Sequence, residues 1–281
     1  MKLLSFEHAG RAGWGVVVEG GVVDTGRLLP QFASVRAVLA ADAVSQVATA
    51  AKGKAADYRL ADLTFLPPIR DPAKIICIGL NYEAHRVETK LPVFEYPVVF
   101  TRWASSHVAN GQPLVRPKAS TKYDYEGELV AVIGKPARHV GRADALKYIA
   151  GYSIYNDGSI RDFQRHSSQF IPGKNFPETG AFGPWLVTAD EIPDPSKLTL
   201  VTRLNGAEVQ RTGTDDLIFD VPALIEYCSG FTRLEPGDLI VTGTPGGVGY
   251  IRKPPLFMKG GDTVEVEISG IGTLSNPVRD E

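Results

Sequence analysis

The chain has 281 residues, of which 43% are apolar and 22% charged, an ordinary composition for a globular protein of one or two domains. Thirty basic residues against 32 acidic ones leave a net charge of −2 without basic blocks, so no nucleic-acid partner is expected. No apolar run approaches the roughly 20 residues that cross a bilayer, so no membrane partner is expected either, and a small molecule is the predicted partner.

The N-terminal segment has the pattern of a small unit. Residues 13–25 contain two valine-rich runs around Glu19-Gly20-Gly21, which predicts a hairpin, and residues 34–52 predict one amphipathic helix. Pro67-Pro68 and the polar residues after them indicate a connector. We therefore predict a small hairpin and helix domain at 1–68 and a main domain at 69–281.

The main domain is predicted to be mainly β, with α+β elements. Its strand candidates are 75–79, 98–101, 126–133, 198–204, 238–242 and 263–268. Its helix candidates are 143–150, 160–166 and 221–229. Strands and long helices do not alternate regularly, which favours a β-sandwich or β-roll over a doubly wound sheet or a barrel of eight βα units.

The two cysteines both lie in apolar runs. Cys77 falls within a predicted strand and Cys228 within a predicted helix. Residues in these positions are expected to be buried free thiols of a reducing compartment, and the cytoplasm is the default location.

A pair of glutamates lies at the start of a predicted buried strand. Glu126 and Glu128 are two residues apart and therefore project to the same side, together with Val130 and Val132. Asp157 follows another apolar run, 148–155. Two neighbouring carboxylates in an apolar setting are costly unless a cation joins them. Three oxygen ligands favour Mg²⁺ or Mn²⁺, with open positions for water or substrate.

An alternative without a metal stays open for these carboxylates. The two glutamates would then lie on a solvent face, and Asp157 would cap a helix that starts near Ser159.

A histidine and a glutamate are spaced as neighbours on a helical turn. His85 and Glu88 are three residues apart, directly after the predicted strand 75–79. A carboxylate beside an imidazole raises its basicity, which suits a general base that activates water. The alternative is an exposed loop histidine with an incidental partner. The following residues, 89–97, predict an irregular loop that would order over substrate as a lid.

These residues occur in an order that resembles the fumarylacetoacetate hydrolase family over residues 75–278. The stretches that carry the resemblance are Gly79-Leu80-Asn81-Tyr82 with His85 and Glu88, Asp124-Tyr125-Glu126-Gly127-Glu128, Asn156-Asp157, Arg161-Asp162-Phe163-Gln164, Gly173-Lys174, Gly183-Pro184-Trp185 and Gly243-Thr244-Pro245-Gly246-Gly247.

The resemblance implies a β-sandwich roll, a homodimer and a set of site residues. The implied metal ligands are Glu126, Glu128 and Asp157. The implied catalytic residues are His85, Glu88 and Lys174, and the implied substrate contacts are Tyr82, Arg161, Gln164 and Thr244, with backbone amides of the loop 243–249. Taken alone, Arg161, Gln164 and Lys174 would fit solvated surface positions. Arg102-Trp103 departs from the family's usual lysine and proline, and we expect both side chains to reshape one pocket wall, with Arg102 as a further substrate contact.

The resemblance favours hydrolysis of a carbon–carbon bond in a 2,4-dioxo acid, such as an acylpyruvate, fumarylpyruvate or a dioxo sugar acid. The products would be pyruvate and a carboxylic acid. Decarboxylation of a 2-oxo acid such as oxaloacetate, or isomerisation of a 2-hydroxy-dienoate, is the alternative within the family. A protein that keeps the metal only for structure or ligand sensing is the alternative outside catalysis.

Overall fold

A computed structural model of the chain describes residues 1–90, 92 and 94–281, so the predicted lid at 89–97 lies partly outside the described residues. The strands are β1 (Lys2–His8), β2 (Arg11–Val18), β3 (Gly21–Val23), β4 (Thr64–Leu66), β5 (Ile75–Gly79), β6 (Val98–Thr101), β7 (His107–Val108), β8 (Leu114–Arg116), β9 (Tyr123–Asp124), β10 (Gly127–Ile133), β11 (Ile149–Asn156), β12 (Ser159–Ile160), β13 (Gly180–Thr188), β14 (Thr199–Leu204), β15 (Ala207–Gly213), β16 (Leu239–Val241), β17 (Thr263–Ile268) and β18 (Gly272–Asp280).

The helices are short and lie between the strands. They are α1 (Thr25–Leu28), α2 (Val35–Ala40), α3 (Val44–Ala51), α4 (Glu83–Thr89), α5 (Arg161–Gln164), α6 (Ile171–Lys174) and α7 (Val221–Phe231). Single 3₁₀ turns occur at Leu60–Asp62, Ala104–Ser106, Ala189–Glu191, Pro195–Lys197, Thr214–Asp216 and Gly249–Ile251, and a longer 3₁₀ helix occurs at Arg142–Tyr148. Within the described residues, none of the helices is long and apolar enough to span a bilayer.

Two β-sheets form the framework. The larger has the strand order β3-β2-β1-β13-β11-β10-β16-β5-β6, with β4 paired to β1 and β7 paired to β13. The smaller has the order β15-β14-β17-β18-β8, and β9 pairs separately with β12. Strands β10 and β11 of the larger sheet contact β14 and β17 of the smaller one. This arrangement confirms the predicted mainly β fold with packed sheets.

Strand β10 has an apolar layer on each side, because successive side chains of a strand alternate in direction. Leu129 and Ala131 belong to the core between the two sheets. Val130 and Val132 belong to a second core, which includes buried side chains of α2 and α3. Glu128 alternates in step with Val130 and Val132, as predicted, and therefore lies toward this second core.

The predicted helix at 34–52 is wrong in one respect, because the structure has two helices there, α2 and α3. Ser34 caps α2 by accepting a hydrogen bond from Ala37 N at 3.2 Å. Asp42, between the helices, has a φ of 50°. This left-handed conformation, which aspartate tolerates better than most residues, interrupts the helical path.

Other predicted elements of the main domain are confirmed or shifted. Strands β5, β6 and β17 have the predicted bounds. The predicted helix at 143–150 is instead a 3₁₀ helix, and from Ile149 onward the chain forms β11. Tertiary contacts explain this difference. Strand β11 pairs with β10 on one side and β13 on the other, and its apolar residues are buried in both cores.

The N-terminal segment extends the larger sheet. Strand β1 pairs antiparallel with β13 through Lys2–Val187 and Leu3–Leu186, and α2 and α3 cover one face of the same sheet. The division into domains at 68/69 therefore stays a prediction.

Candidate active site

Three buried carboxylates lie together near the ends of β10 and β11. Glu126, Glu128 and Asp157 each offer one oxygen, and these oxygens lie within 4.8 Å of one another. The antiparallel register pairs Gly127 with Asn156, which brings the start of β10 beside the end of β11. Asp157 N donates to Glu126 O at 2.8 Å and fixes this junction.

Glycine is required between the two glutamates because the sheets approach closely at that point. A Cβ at Gly127 would lie 2.2 Å from Thr202 Oγ1 of the smaller sheet. Gly127 therefore faces the sandwich core, and its neighbours Glu126 and Glu128 face away from that core. This alternation explains how an acidic pair is placed at the edge of an apolar strand.

The site buries several charges of each sign. The buried carboxylates are Asp124, Glu126, Glu128 and Asp157, and the buried cations are Arg102, Arg161 and Lys174. Glu126 is paired with Arg161 at 2.6 Å and with Lys174 at 2.6 Å, and Asp157 with Arg102 at 2.7 Å and with Lys174 at 2.5 Å. Most of these charges therefore have partners of opposite sign.

Glu128 differs from the other two members of the triad. Within the described residues it has no ion pair, and its side chain accepts one backbone hydrogen bond, from Gly243 N at 2.6 Å. Burial, followed by the negative charges of Asp157 and Glu126, raises the pKa of Glu128 well above its ordinary value. A divalent cation would supply the missing compensation, and an all-oxygen donor set suits Mg²⁺ or Mn²⁺. The residues present therefore fit a metal.

Lys174 lies at the end of α6, with its side chain enclosed among the carboxylates. It is 1% exposed, and its Nζ contacts Glu126 and Asp157. Burial opposes the ammonium form, but Asp157 and Glu126 outweigh burial and raise the pKa of Lys174. Lys174 is therefore protonated beside the candidate metal site, and the solvated alternative is wrong.

Arg161 and Gln164 line the same pocket from helix α5. Arg161 Nε donates to Asp124 Oδ2 at 2.8 Å, and its Nη1 donates to Gln164 Oε1 at 2.9 Å. The second terminal nitrogen, Nη2, is buried without a hydrogen-bond partner among the described residues. A buried guanidinium with one unused donor indicates a place where an acceptor from a ligand would bind.

His85 and Glu88 lie side by side on α4, as predicted. His85 Nδ1 is 3.6 Å from Glu88 Oε2, and the histidine side chain is 6% exposed against 34% for the glutamate. Burial lowers the pKa of His85, and the negative charges of Glu126 and Glu88 offset only part of this decrease. The imidazole is therefore neutral near pH 7, which is the form that accepts a proton. The exposed-loop alternative is wrong.

The glycine-rich loop after β16 holds acidic side chains through its backbone amides. Gly243 N, Gly247 N and Gly249 N donate to Glu128, Glu88 and Asp124, at 2.6, 2.9 and 2.8 Å respectively. These three amides, predicted to contact substrate, are thus occupied by protein carboxylates. Thr244 does line the pocket, and its hydroxyl accepts from Gln210 Nε2 at 2.9 Å.

Two of the three carboxylates, those of Glu126 and Glu128, line a cavity of about 160 Å³. Predicted site residues that line it are His85, Glu126, Glu128, Arg161, Gln164, Lys174 and Thr244. Other residues that line it are Ile78, Gly79, Leu80, Phe100, Arg165, Phe170 and Tyr250. A larger cavity of about 620 Å³ lies beside β2 and α1, remote in the fold from the triad. The chemistry of the lining side chains, rather than volume, identifies the smaller cavity as the candidate site.

Two predicted substrate contacts, Tyr82 and Arg102, are not among the residues that line this cavity. Tyr82 is 0% exposed at the start of α4. Arg102 donates from Nη1 to Asp157 Oδ1 at 2.7 Å and to Gly158 O at 2.9 Å. Arg102 therefore orients a predicted metal ligand. Trp103 is 56% exposed, so Phe100 rather than Arg102 or Trp103 forms the pocket wall from this segment.

Sequence reasoning gave no role to Asp124 and Tyr250. Asp124 is fully buried and accepts hydrogen bonds from Arg161, Gly249 and the backbone of Tyr250. The Tyr250 ring lies 4.5 Å from the guanidinium carbon of Arg161. Asp124 is two residues before Glu126, and that spacing was the available signal. Nothing local to residue 250 indicates its contact with α5.

Comparison with known proteins gives consistent results. A family model described as "Fumarylacetoacetate (FAA) hydrolase C-terminal" matches residues 74–279. The mitochondrial oxaloacetate tautomerase of Xenopus laevis is 43% identical over 219 residues, which cover 77% of this chain and 69% of that protein. The solved fumarylacetoacetate hydrolase of Exiguobacterium antarcticum is 36% identical, covers both chains fully and has a TM-score of 0.85.

A third relative is the maleylpyruvate hydrolase of Sphingobium sp. SYK-6, solved with manganese(II) and pyruvate. It is 27% identical, with a TM-score of 0.83 over 100% of this chain and 99% of that one. The family match covers well over half of the chain, and the full-length structural likeness confirms the predicted β-sandwich roll. The chain therefore belongs to the fumarylacetoacetate hydrolase family of enzymes.

Proposed function

We propose that this protein catalyses keto–enol interconversion of a small 2-oxo acid at a divalent metal, with oxaloacetate as the favoured substrate. The observation that carries the proposal is the contact of Lys174 Nζ with Glu126 and Asp157, which puts a protonated amine beside the candidate metal ligands. The 43% identity to an oxaloacetate tautomerase supports this choice over the hydrolysis favoured by the sequence alone.

The residues that would hold the metal are Glu126, Glu128 and Asp157. Either Mg²⁺ or Mn²⁺ fits this oxygen set, and when bound it supplies positive charge that stabilises an enolate-like oxygen. Arg102 and Lys174 keep two of these carboxylates in position. Arg161 Nη2 offers a further donor to a substrate oxygen.

Proton transfer requires one group that gives a proton to carbon and one that takes a proton from the enol oxygen. Lys174 carries a proton at Nζ, and neutral His85 has the capacity to accept one; both line the cavity. Enol to keto conversion then leaves the number of protons on the substrate unchanged. Reprotonation of Lys174 and deprotonation of His85 restore the enzyme.

The test is a product analysis on protein stripped of metal and then reloaded with Mg²⁺ or Mn²⁺. We expect loss of the enol absorbance of oxaloacetate above the spontaneous rate, without release of pyruvate or carbon dioxide. Chelation is expected to return the rate to the spontaneous value. Carbon dioxide release at the same rate would assign decarboxylation instead, and activity that survives chelation would contradict the metal requirement.

Hydrolysis of an acylpyruvate or another 2,4-dioxo acid remains the second candidate, and one observation favours it. Glu88 contacts His85 and is itself held by Gly247 N at 2.9 Å, which is the arrangement expected for a base that activates water. The likeness to a maleylpyruvate hydrolase supports it as well.

The variant Glu88→Gln separates the two reactions. Loss of the carboxylate is expected to lower hydrolysis of an acylpyruvate by about 10²-fold, the range of general-base effects, because His85 loses its charged partner. Tautomerisation of oxaloacetate is expected to fall less than tenfold, since no water is activated. Equal losses in both reactions, measured as kcat/KM, would contradict this separation. Glu83→Gln, an exposed change on the same helix, is the control.

We also propose an oligomeric state and a compartment. A homodimer is proposed from the family. A reducing compartment, with the cytoplasm as the default, is proposed because Cys77 and Cys228 are buried free thiols.

A further inference from the structure

Two arginines one helical turn apart share an aromatic platform at the cavity. Arg161 begins α5, and Arg165 follows its last residue, so the two lie on the same side of the turn. Their guanidinium carbons lie 4.5 and 4.8 Å from the centroid of the Tyr250 ring. Tyr250 therefore restrains Arg165 by a cation–π contact.

The two arginines differ in their electrostatic partners. Arg161 is 5% exposed and pairs with Asp124 and Glu126. Arg165 is exposed, lines the same cavity and has no acidic partner among the residues that the structure describes. A guanidinium that is held in place but has no carboxylate partner is suited to bind one from a ligand.

The position of Arg165 relative to the triad gives the direction of a bound substrate. Arg161 Nη1 contacts Glu126 at 2.6 Å and Gln164 Oε1 at 2.9 Å, so one side chain spans from the triad to the last residue of α5. Arg165 is the next residue and is exposed, whereas the triad is buried. A short acid bound with its 2-oxo end at the triad would extend its other end toward Arg165.

We propose that Arg165, supported by the ring of Tyr250, binds the distal carboxylate of a dicarboxylic 2-oxo acid and makes this enzyme selective for dicarboxylates. The proposal rests on the proposed function and adds the residue that selects the substrate. Among the residues that the structure describes, Arg165 forms no hydrogen bond or ion pair with a predicted metal ligand, so its role is in selectivity rather than in proton transfer.

The kinetic test compares oxaloacetate with its 4-methyl ester, which keeps the skeleton but lacks the distal charge. Arg165→Gln is expected to lower kcat/KM for oxaloacetate by about 10- to 100-fold, mainly through KM, as expected for loss of a charged hydrogen bond. The value for the ester is expected to stay within about twofold. Arg165→Lys is expected to recover part of the loss.

Matched variants separate this role from general effects. Tyr250→Phe keeps the aromatic face and is expected to retain selectivity, whereas Tyr250→Leu is expected to lose part of it. Arg233→Gln removes an equal charge from an exposed position that does not line the cavity. It is expected to leave kcat/KM unchanged for both substrates. Equal losses for both substrates in Arg165→Gln, or no loss, would overturn the proposal.

A binding measurement distinguishes failure of this inference from failure of the proposed function. Difluorooxaloacetate and trifluoropyruvate have no enolisable hydrogen, and only the first has a distal carboxylate. Calorimetry on Mn²⁺-loaded protein is expected to show that Arg165→Gln weakens only difluorooxaloacetate, by about 10- to 100-fold. If Arg165→Gln weakens binding of difluorooxaloacetate alone but the wild type does not turn over oxaloacetate, the proposed reaction is wrong and the inference stands. If the wild type and Arg165→Gln bind difluorooxaloacetate with equal affinity, the inference is wrong.

Discussion

Replacement of Lys174 by methionine is expected to destabilise the metal-free protein by about 3–5 kcal/mol and to abolish turnover. The Lys174 ammonium is 1% exposed and contacts Glu126 at 2.6 Å and Asp157 at 2.5 Å. Methionine has a similar length but no charge, so two buried carboxylates lose a shared partner. Removal of one member of a buried ion pair typically costs this much. Glu126 and Asp157 would keep only Arg161 and Arg102 as partners, so part of their buried negative charge would lose its compensation.

Bound metal is expected to recover part of this loss in stability. A divalent cation among the same carboxylates supplies positive charge in place of the ammonium, and it stabilises the folded state because it binds that state preferentially. Urea unfolding with and without saturating Mn²⁺ measures the recovery. Turnover is not expected to recover, since methionine has no proton to give.

Lys135→Met provides the matched control for this prediction. Lys135 is 54% exposed and lies 4.0 Å from Asp42, so its removal is expected to change the free energy of unfolding by less than about 0.5 kcal/mol. An unchanged unfolding free energy in metal-free Lys174→Met would show that the ammonium does not compensate Glu126 and Asp157.

The variant Glu128→Gln is expected to separate stability from activity. In the wild type, Gly243 N donates to the Glu128 carboxylate at 2.6 Å, and a glutamine side chain keeps an oxygen that accepts this hydrogen bond. The substitution removes a buried negative charge that has no ion pair among the described residues. The raised pKa of Glu128 means that folding disfavours its ionised form. We therefore expect the metal-free variant to be as stable as the wild type or more stable, by up to roughly 1–3 kcal/mol.

The same variant is expected to lose metal affinity and activity. One of three ligands has lost its charge, and loss of the metal removes several kcal/mol of transition-state stabilisation, equivalent to about a thousandfold or more in kcat/KM. Calorimetric titration with Mn²⁺ and thermal unfolding at increasing Mn²⁺ check the affinity. Glu265→Gln, in the partly exposed row of β17, is the control. If Glu128→Gln binds Mn²⁺ with the affinity of the wild type, Glu128 is not a metal ligand.

Local pattern was sufficient to predict the acidic pair and the histidine pair. Alternation across Gly127, the first residue of β10, places Glu126 and Glu128 on one side, and one helical turn places Glu88 beside His85. Both predictions depend on residues two or three positions apart, where backbone geometry alone decides direction. The end of the apolar run 148–155 indicated Asp157, and the family resemblance added Lys174; both residues are distant in sequence from these pairs.

Tertiary structure decided which buried charges meet. Arg102 and Asp157 are 55 positions apart, and Lys174 and Glu126 are 48 apart; both contacts depend on the order of strands in the larger sheet. No periodicity in the sequence reports that order, so Arg102 was expected in a pocket wall and instead holds a predicted metal ligand. The contact between Arg165 and Tyr250 likewise exists only because the segment after the glycine-rich loop packs on α5. The sequence by itself therefore determined the residue types and their local directions, whereas long-range strand pairing determined their partners.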